Sequence, residues 1–224
     1  MRVFNEFLMN CSIVFDLDGT LITCENKQKY VLSSILNSIE YIDPEKIDYW
    51  WKLKRNGFNT EKALSEIGIS NAKLISDNWI STIENFAWCS LDKPFTDSLP
   101  ALEFLKVNHE LNIIILTARR SAFQVSQAIF SYGFNEFIDD LIVVSPEKVI
   151  QEKTHNLKRI KPLMYIGDSE TDHLASINSK TRFVALARGQ RSRDFLKKIG
   201  AMQIENNLKF LKNDDSISRF KKDQ

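Results

Sequence analysis

The sequence carries almost no net charge: 30 lysines and arginines face 29 aspartates and glutamates, leaving +1 over 224 residues. Without a basic field, neither nucleic acid nor an acidic membrane surface is expected as a partner. No apolar run reaches bilayer-spanning length. The opening MRVFNEFLMNCS is interrupted by Asn5, Glu6 and Asn10, so no signal peptide is expected either. Cysteine is scarce. Cys11, Cys24 and Cys89 lie far apart and are odd in number, which excludes a disulfide framework and a thiolate metal cluster. The three histidines, His109, His155 and His173, lack metal-ligand spacing and read as surface or packing residues. No internal repeat is visible. These absences fit a soluble protein of a reducing cytoplasm.

What is present is a set of five short apolar runs: SIVF at 12–15, LNIIIL at 111–116, LIVV at 141–144, LMYI at 163–166 and RFVAL at 182–186. They lack strict polar alternation, as strands buried on both faces of a parallel sheet do. Helical patterns separate them. One follows Ser121, with Val125, Ala128, Ile129 and Tyr132 on one face, and stops at Gly133; another follows Ser192 and ends at Gly200. Alternating strand and helix predict an open α/β sheet with right-handed crossovers. The polar tail from Lys212 onward reads as frayed.

The first two strands are separated by about ninety residues, far more than one crossover helix needs. A chain of this length is long for one minimal domain and short for two, so a core with an insertion is expected. The insert reads as helical. Val31, Leu32, Ile35, Leu36 and Ile39 repeat at helical spacing. Asp43-Pro44 reads as an N-cap followed by proline at the first helical position. Thr60 is expected to cap a helix that carries Ala63, Leu64 and Ile67 and ends at Gly68; Trp79, Ile83, Phe86 and Ala87 form a further stripe. Trp50, Trp51, Trp79 and Trp88 are expected to be core of this insert.

Ligands bind an open α/β sheet at the carboxyl ends of its strands. Asp16 and Asp18 stand there after the first run, Thr117 after the second, and Asp168 with Asp172 after the fourth. Carboxylates converging from different strand ends cannot all stay ionised without a cation. Oxygen-only ligands of this kind suit Mg²⁺.

Taken alone, Asp18-Gly19 is a common turn pair. An EF-hand calcium loop is excluded, because it needs glycine at its sixth position and Gly19 is fourth from Asp16. In combination the segments say more. FDLDGT at 15–20, LTARR at 116–120 and YIGDSETD at 165–172 resemble, in order, the first, second and fourth motifs of the haloacid dehalogenase superfamily. The third motif is a lysine between the last two. Lys153 is the best candidate, since Leu157 and Ile160 continue one apolar face of a helix it would begin; Lys148 is the alternative. The resemblance runs from about Ser12 to about Leu211.

The resemblance implies a three-layer, Rossmann-like α/β core with parallel strand order 5-4-1-2-3. The core would comprise residues 1–23 and 93–224, with an α-helical cap domain at 24–92. It implies a Mg²⁺-dependent phosphatase of the phosphoglycolate phosphatase-like branch, acting on a small phosphomonoester. Asp16 would be the nucleophile and Asp18 the acid and base. Thr117 would hold a phosphoryl oxygen, Lys153 would offset charge, and Asp172 would orient that lysine or a metal-bound water. The metal would be held by Asp16, the Asp18 carbonyl and Asp168. Sugar phosphomutases share these motifs, dehalogenases share the aspartate nucleophile, and a non-catalytic binding module is the rival outside enzymes. A cap over the crevice contacts the part of the substrate beyond the phosphate. Lys54 and Arg55, within YWWKLKRNGF, are therefore substrate-binding candidates, as are Arg119 and Arg120; solvated charges would explain the same letters.

Overall fold

Six parallel strands form the core sheet: β1 (Ser12–Phe15), β2 (Asn112–Ala118), β3 (Asp140–Val144), β4 (Met164–Gly167), β5 (Phe183–Leu186) and β6 (Ile204–Glu205). The computed structural model describes residues 11–39 and 42–212, with only the backbone at Phe86 and Cys89. Readings of the opening ten residues, of the tail beyond Lys212 and of the Phe86 side chain fall outside it. The sheet order is β3-β2-β1-β4-β5-β6. This contains the expected 5-4-1-2-3 order and extends it by β6, whose two residues are too few to show a pattern.

Period-two alternation sends neighbouring residues to opposite faces. Ile13 and Phe15 join one buried cluster with Ile113, Ile115, Met164 and Ile166, while Val14 joins Leu116 and Tyr165 on the other face. β1 and β4 are buried throughout. β3 departs from the expectation of two buried faces: only Val144 is fully buried, because β3 is the sheet edge.

The segment between β1 and β2 begins with five helices: α1 (Glu25–Asn37), α2 (Pro44–Arg55), α3 (Thr60–Glu66), α4 (Ala72–Thr82) and the single turn α5 (Phe86–Cys89). α2 starts as its sequence predicts, with the Asp43 side chain accepting the Glu45 N–H and Pro44 first in the helix. The expected cap of α3 is corrected by one residue. Asn59, in extended backbone, accepts the Lys62 N–H, and Thr60 is already helical. These helices enclose a core of their own around Val31, Leu32, Trp50, Trp51, Leu64 and Trp79. Trp50 and Trp79 meet edge to face at 5.9 Å. Each side chain of that size contributes about 1.5–3 kcal/mol by leaving water. Trp88 packs against the same core, half-buried.

The chain passes between this unit and the sheet twice, and the crossings run side by side. Thr23 N–H donates to Lys93 O at 2.7 Å, and Phe95 N–H to Leu21 O at 3.1 Å. The core resumes with α6 (Ser98–His109), α7 (Ala122–Ser131), α8 (Val149–Ile160), α9 (Glu170–Ser179) and α10 (Arg193–Lys198). α7 and α10 begin at the expected caps, Ser121 and Ser192. His173 is a packing residue, tilted on Phe183 at 5.4 Å. Among the described residues no helix is long and apolar enough to cross a membrane.

Candidate active site

Asp16 is the first residue past β1, and its N–H donates to Ile166 O of β4 at 2.8 Å. Its backbone is therefore fixed where two central strands end. The chain then turns at once: the N–H groups of Leu21 and Ile22 return to Leu17 O at 2.9 and 3.0 Å, and Gly19 adopts φ 77°. Asp168 follows β4 directly. Asp172 sits in the first turn of α9, where its side chain and Ser169 satisfy one another's backbone N–H groups in a capping box. Thr117, near the end of β2, is buried and pairs with Val143.

Lys153 links these elements. Its ammonium donates to Asp16 Oδ1 at 2.7 Å and to Asp172 Oδ1 at 2.6 Å, and it is 2 % exposed. The helix that carries it starts at Val149, not at Lys153 as the sequence suggested. Lys148, the alternative, stays exposed at the helix cap. The face decides, not the distance from the helix start. Lys153 lies four residues before Leu157, which is buried against Val14 and Tyr165, so it stands one turn up the same face.

Charge is crowded. Asp16, Asp168 and Asp172 each offer an oxygen within 4.8 Å of the others, and all three are buried. Burial pushes the Asp16 carboxyl up to about 7; Lys153 opposes this, while Asp172 and Asp18 add to it. Asp168 is raised well above the usual carboxylate range by burial and then by its two acidic neighbours. Asp172 moves the other way: burial works against it, but Lys153 holds it below the usual range. Lys153 is itself raised, since Asp16 and Asp172 outweigh the effect of its burial. Asp172 also accepts from the Tyr165 hydroxyl at 2.5 Å.

The donor set fits a hard cation. Asp168 Oδ2 accepts the Gln190 N–H, but its Oδ1 is buried with no partner among the described residues. An unpartnered buried carboxylate oxygen beside a second raised carboxyl is what an oxygen-seeking ion such as Mg²⁺ would satisfy.

Asp18 is held apart from this group. Arg119 grips it with Nε to Oδ2 at 2.7 Å and Nη2 to Oδ1. Burial pushes Asp18 up, but Arg119 and then Lys27 outweigh it and hold the carboxyl below the usual range. Arg119 is thus bound within the site and not free for substrate as expected. Arg120 is exposed and reaches Ile80 O and Glu147.

The two cap candidates are also corrected. Lys54 is buried, donating to Thr60 Oγ1 at 2.9 Å, with its ammonium 4.1 Å from the Trp79 ring centre and 5.1 Å from that of Trp50. Arg55 donates to Ala187 O and Arg191 O in the loop after β5, at 2.9 and 3.4 Å. One is packed within the helical unit and the other ties that unit to the core.

Sequence reasoning missed Lys27, Asp92, Gly189 and Arg191. The last two stand in RGQRS, the loop leaving β5, and the rule that strand ends carry function could have flagged them. Lys27 and Asp92 meet across 65 residues and have no local signal.

The fold has known counterparts. The chain belongs to the haloacid dehalogenase-like hydrolases, whose family profile matches residues 13–186. A predicted phosphatase from Clostridium acetobutylicum superimposes with a TM-score of 0.69 at 17% identity, covering 94% of this chain and 99% of that one. A HAD family hydrolase from Deinococcus radiodurans R1, solved with bound phosphate and sodium, gives 0.68 at 15% identity, with 95% and 97% covered. A predicted phosphoglycolate phosphatase from Haemophilus somnus gives 0.65 at 15% identity, with 92% and 98% covered. At these identities the likeness is one of fold. No curated protein matches the chain at a significant level.

Proposed function

We propose that this hydrolase is a Mg²⁺-dependent phosphatase, with Asp16 as nucleophile and a small phosphomonoester as substrate. The observation that carries this reading is the Lys153 ammonium between Asp16 and Asp172, beside Asp168 with its unpartnered oxygen. A carboxylate nucleophile approaching a phosphate is repelled by about 1–4 kcal/mol per phosphate charge at 4 Å, between bulk water and an effective dielectric of 20. A site for phosphoryl transfer must offset this, and buried cations do so.

In this mechanism an Asp16 oxygen attacks phosphorus, and the bond from phosphorus to the leaving oxygen breaks. Asp18, protonated once it leaves the Arg119 ion pair, gives that oxygen a proton, so an alcohol departs and an aspartyl-phosphate remains. Asp18, now a carboxylate, takes a proton from water as the water attacks phosphorus. The bond to Asp16 then breaks, releasing inorganic phosphate and restoring the carboxylate. Thr117 donates to a phosphoryl oxygen, Lys153 offsets charge on Asp16 and the phosphoryl group, and Asp172 fixes Lys153 in place. Mg²⁺, held by Asp16, Asp168 and the Asp18 carbonyl, would supply charge stabilisation to the phosphoryl oxygens.

Helices α1–α5 act as the cap, so that residues 24–92 set the substrate and residues 1–23 with 93–224 carry the chemistry. The phosphate and sodium bound by the Deinococcus neighbour and the predicted phosphoglycolate phosphatase among the fold relatives support this reading. We place the enzyme in the cytoplasm, where free thiols such as Cys11 and Cys24 stay reduced. The test is phosphate release over a panel of phosphomonoesters, with Mg²⁺ and with chelator. Release that needs Mg²⁺ supports the reading, and release that survives exhaustive chelation contradicts the metal role. Transfer of phosphate within the substrate, without release, would make the chain a mutase.

A further inference from the structure

Arg119 serves two carboxylates at once. Its fork takes both oxygens of Asp18, and the same Nη2 stands 3.2 Å from Asp92 Oδ2. Asp92 is 4 % exposed and sits where the chain returns from the helical unit. Lys27, in the first turn of α1, donates to that same Oδ2. Asp92 Oδ1, in contrast, is buried and has no partner among the described residues. A cavity of about 20 Å³, room for roughly one water, lies beside the pair and is lined by Asp92, Arg119, Ser121 and Gln124.

These facts bear on the proton transfer of the phosphatase reading, on which this inference rests. A carboxyl whose two oxygens are both gripped cannot face a leaving group. We propose that Asp92 is a positioning residue, the second seat to which Arg119 moves when Asp18 turns to the leaving oxygen. The unpartnered Oδ1 supplies the acceptor, the cavity supplies the space, and Lys27 keeps the seat in place from the helical unit. Docking of α1 is thereby coupled to release of Asp18. A static cluster that merely holds the two crossings together would leave both Asp92 oxygens bonded.

The experiment compares benzyl phosphate with p-nitrophenyl phosphate in the full chain with Mg²⁺. The two are similar in size, but p-nitrophenolate departs without a proton and benzyl alkoxide does not. kcat/KM covers only the steps through leaving-group release, so the ratio of the two values isolates the proton delivered by Asp18. Asp92→Asn is expected to lower kcat/KM for benzyl phosphate about tenfold or more and for p-nitrophenyl phosphate less than about threefold. Adding Arg119→Gln removes the grip, and the ratio should return to within about threefold of wild type. Equal losses on both substrates, or no loss, overturn the proposal. Should Asp92→Asn not fold, Arg119→Gln alone decides: the ratio holds if Asp92 is a second seat and falls about tenfold if Arg119 statically orients Asp18. A wild-type chain that hydrolyses neither ester overturns the phosphatase reading itself, an outcome visible before any variant is made.

Discussion

Gly189 lies so close to Gly19 that a Cβ on it would stand 2.5 Å from Gly19 Cα and 1.9 Å from Asp168 Oδ2. A Cβ on Gly19 would likewise stand 2.0 Å from Asp168 Oδ2. Two bare backbones, one from the turn after β1 and one from the loop after β5, thus flank the same carboxylate. Gln190 follows and donates its N–H to Asp168, which sets the direction of the free oxygen.

Gly189→Ala is therefore expected to displace Asp168 and remove Mg²⁺-dependent turnover, with a lowered melting midpoint. Gly68→Ala is the control. Gly68 has φ 86° and a Cβ there would meet nothing within 4 Å, so only backbone strain of about 1–2 kcal/mol opposes alanine there. Turnover and thermal melting of both variants check this. Loss of turnover in both, or in neither, would mean that the close approach does not fix the site.

Lys153→Ala should lower kcat/KM by about a hundredfold or more, the scale of losing a charge-stabilising donor. Lys148→Ala should cost less than about threefold, as expected for an exposed charge. Steady-state kinetics on one phosphomonoester suffices, and the reverse pattern would move the catalytic lysine.

The sequence made these residues legible to differing degrees. β1, β2 and β4 could be read because central strands of a parallel sheet are continuously apolar, and Asp16, Asp168 and Asp172 could be placed because they follow such runs. Lys153 could be chosen because Leu157 continues its face, although the helix start was missed by four residues. Lys54 and Arg55 were read as exposed because a charged letter says nothing about burial. Lys54 is accommodated by the rings of Trp50 and Trp79 and by Thr60, contacts that exist only once α2, α3 and α4 are packed. Lys27 with Asp92, and Gly19 with Gly189, are pairings of distant segments that no local pattern encodes.

Lys54 gives the third prediction. Burial, reinforced by Arg191, pulls its ammonium down to about 7. The folded chain then binds fewer protons than the unfolded chain between about pH 7 and 10.5, so this group makes stability rise with pH across that window. Lys54→Met keeps the length of the side chain and removes the buried charge. It should raise the melting midpoint near neutral pH and abolish this contribution to the slope, while leaving the Mg²⁺ requirement unchanged. A lower midpoint would show that the ammonium over the tryptophan rings stabilises the helical unit.

A fourth prediction concerns pH and the cation. With Asp16 raised to about 7 and Asp168 raised as well, the folded chain binds more protons than the unfolded chain between about pH 4 and 7. Stability without metal should fall as pH rises through that window. Asp18 and Asp172, both lowered, contribute stability that is lost only below the ordinary carboxylate range, so they are silent here. In chelated protein the melting midpoint should be higher at about pH 5.5 than at about pH 7, and Mg²⁺ should raise it more at the higher pH. A midpoint indifferent to Mg²⁺ near pH 7 would remove the cation from the account.

The central claim is that Asp16 attacks phosphorus. The most direct measurement is turnover of p-nitrophenyl phosphate with Mg²⁺ by the wild type and by Asp16→Asn, which keeps the shape and removes the attacking charge. The variant should fold with an unchanged or higher melting midpoint, since a buried charge beside Asp168 and Asp172 is gone. Its kcat should fall by roughly 10³ or more. A folded Asp16→Asn that retains a tenth of wild-type turnover would contradict the assignment of the nucleophile.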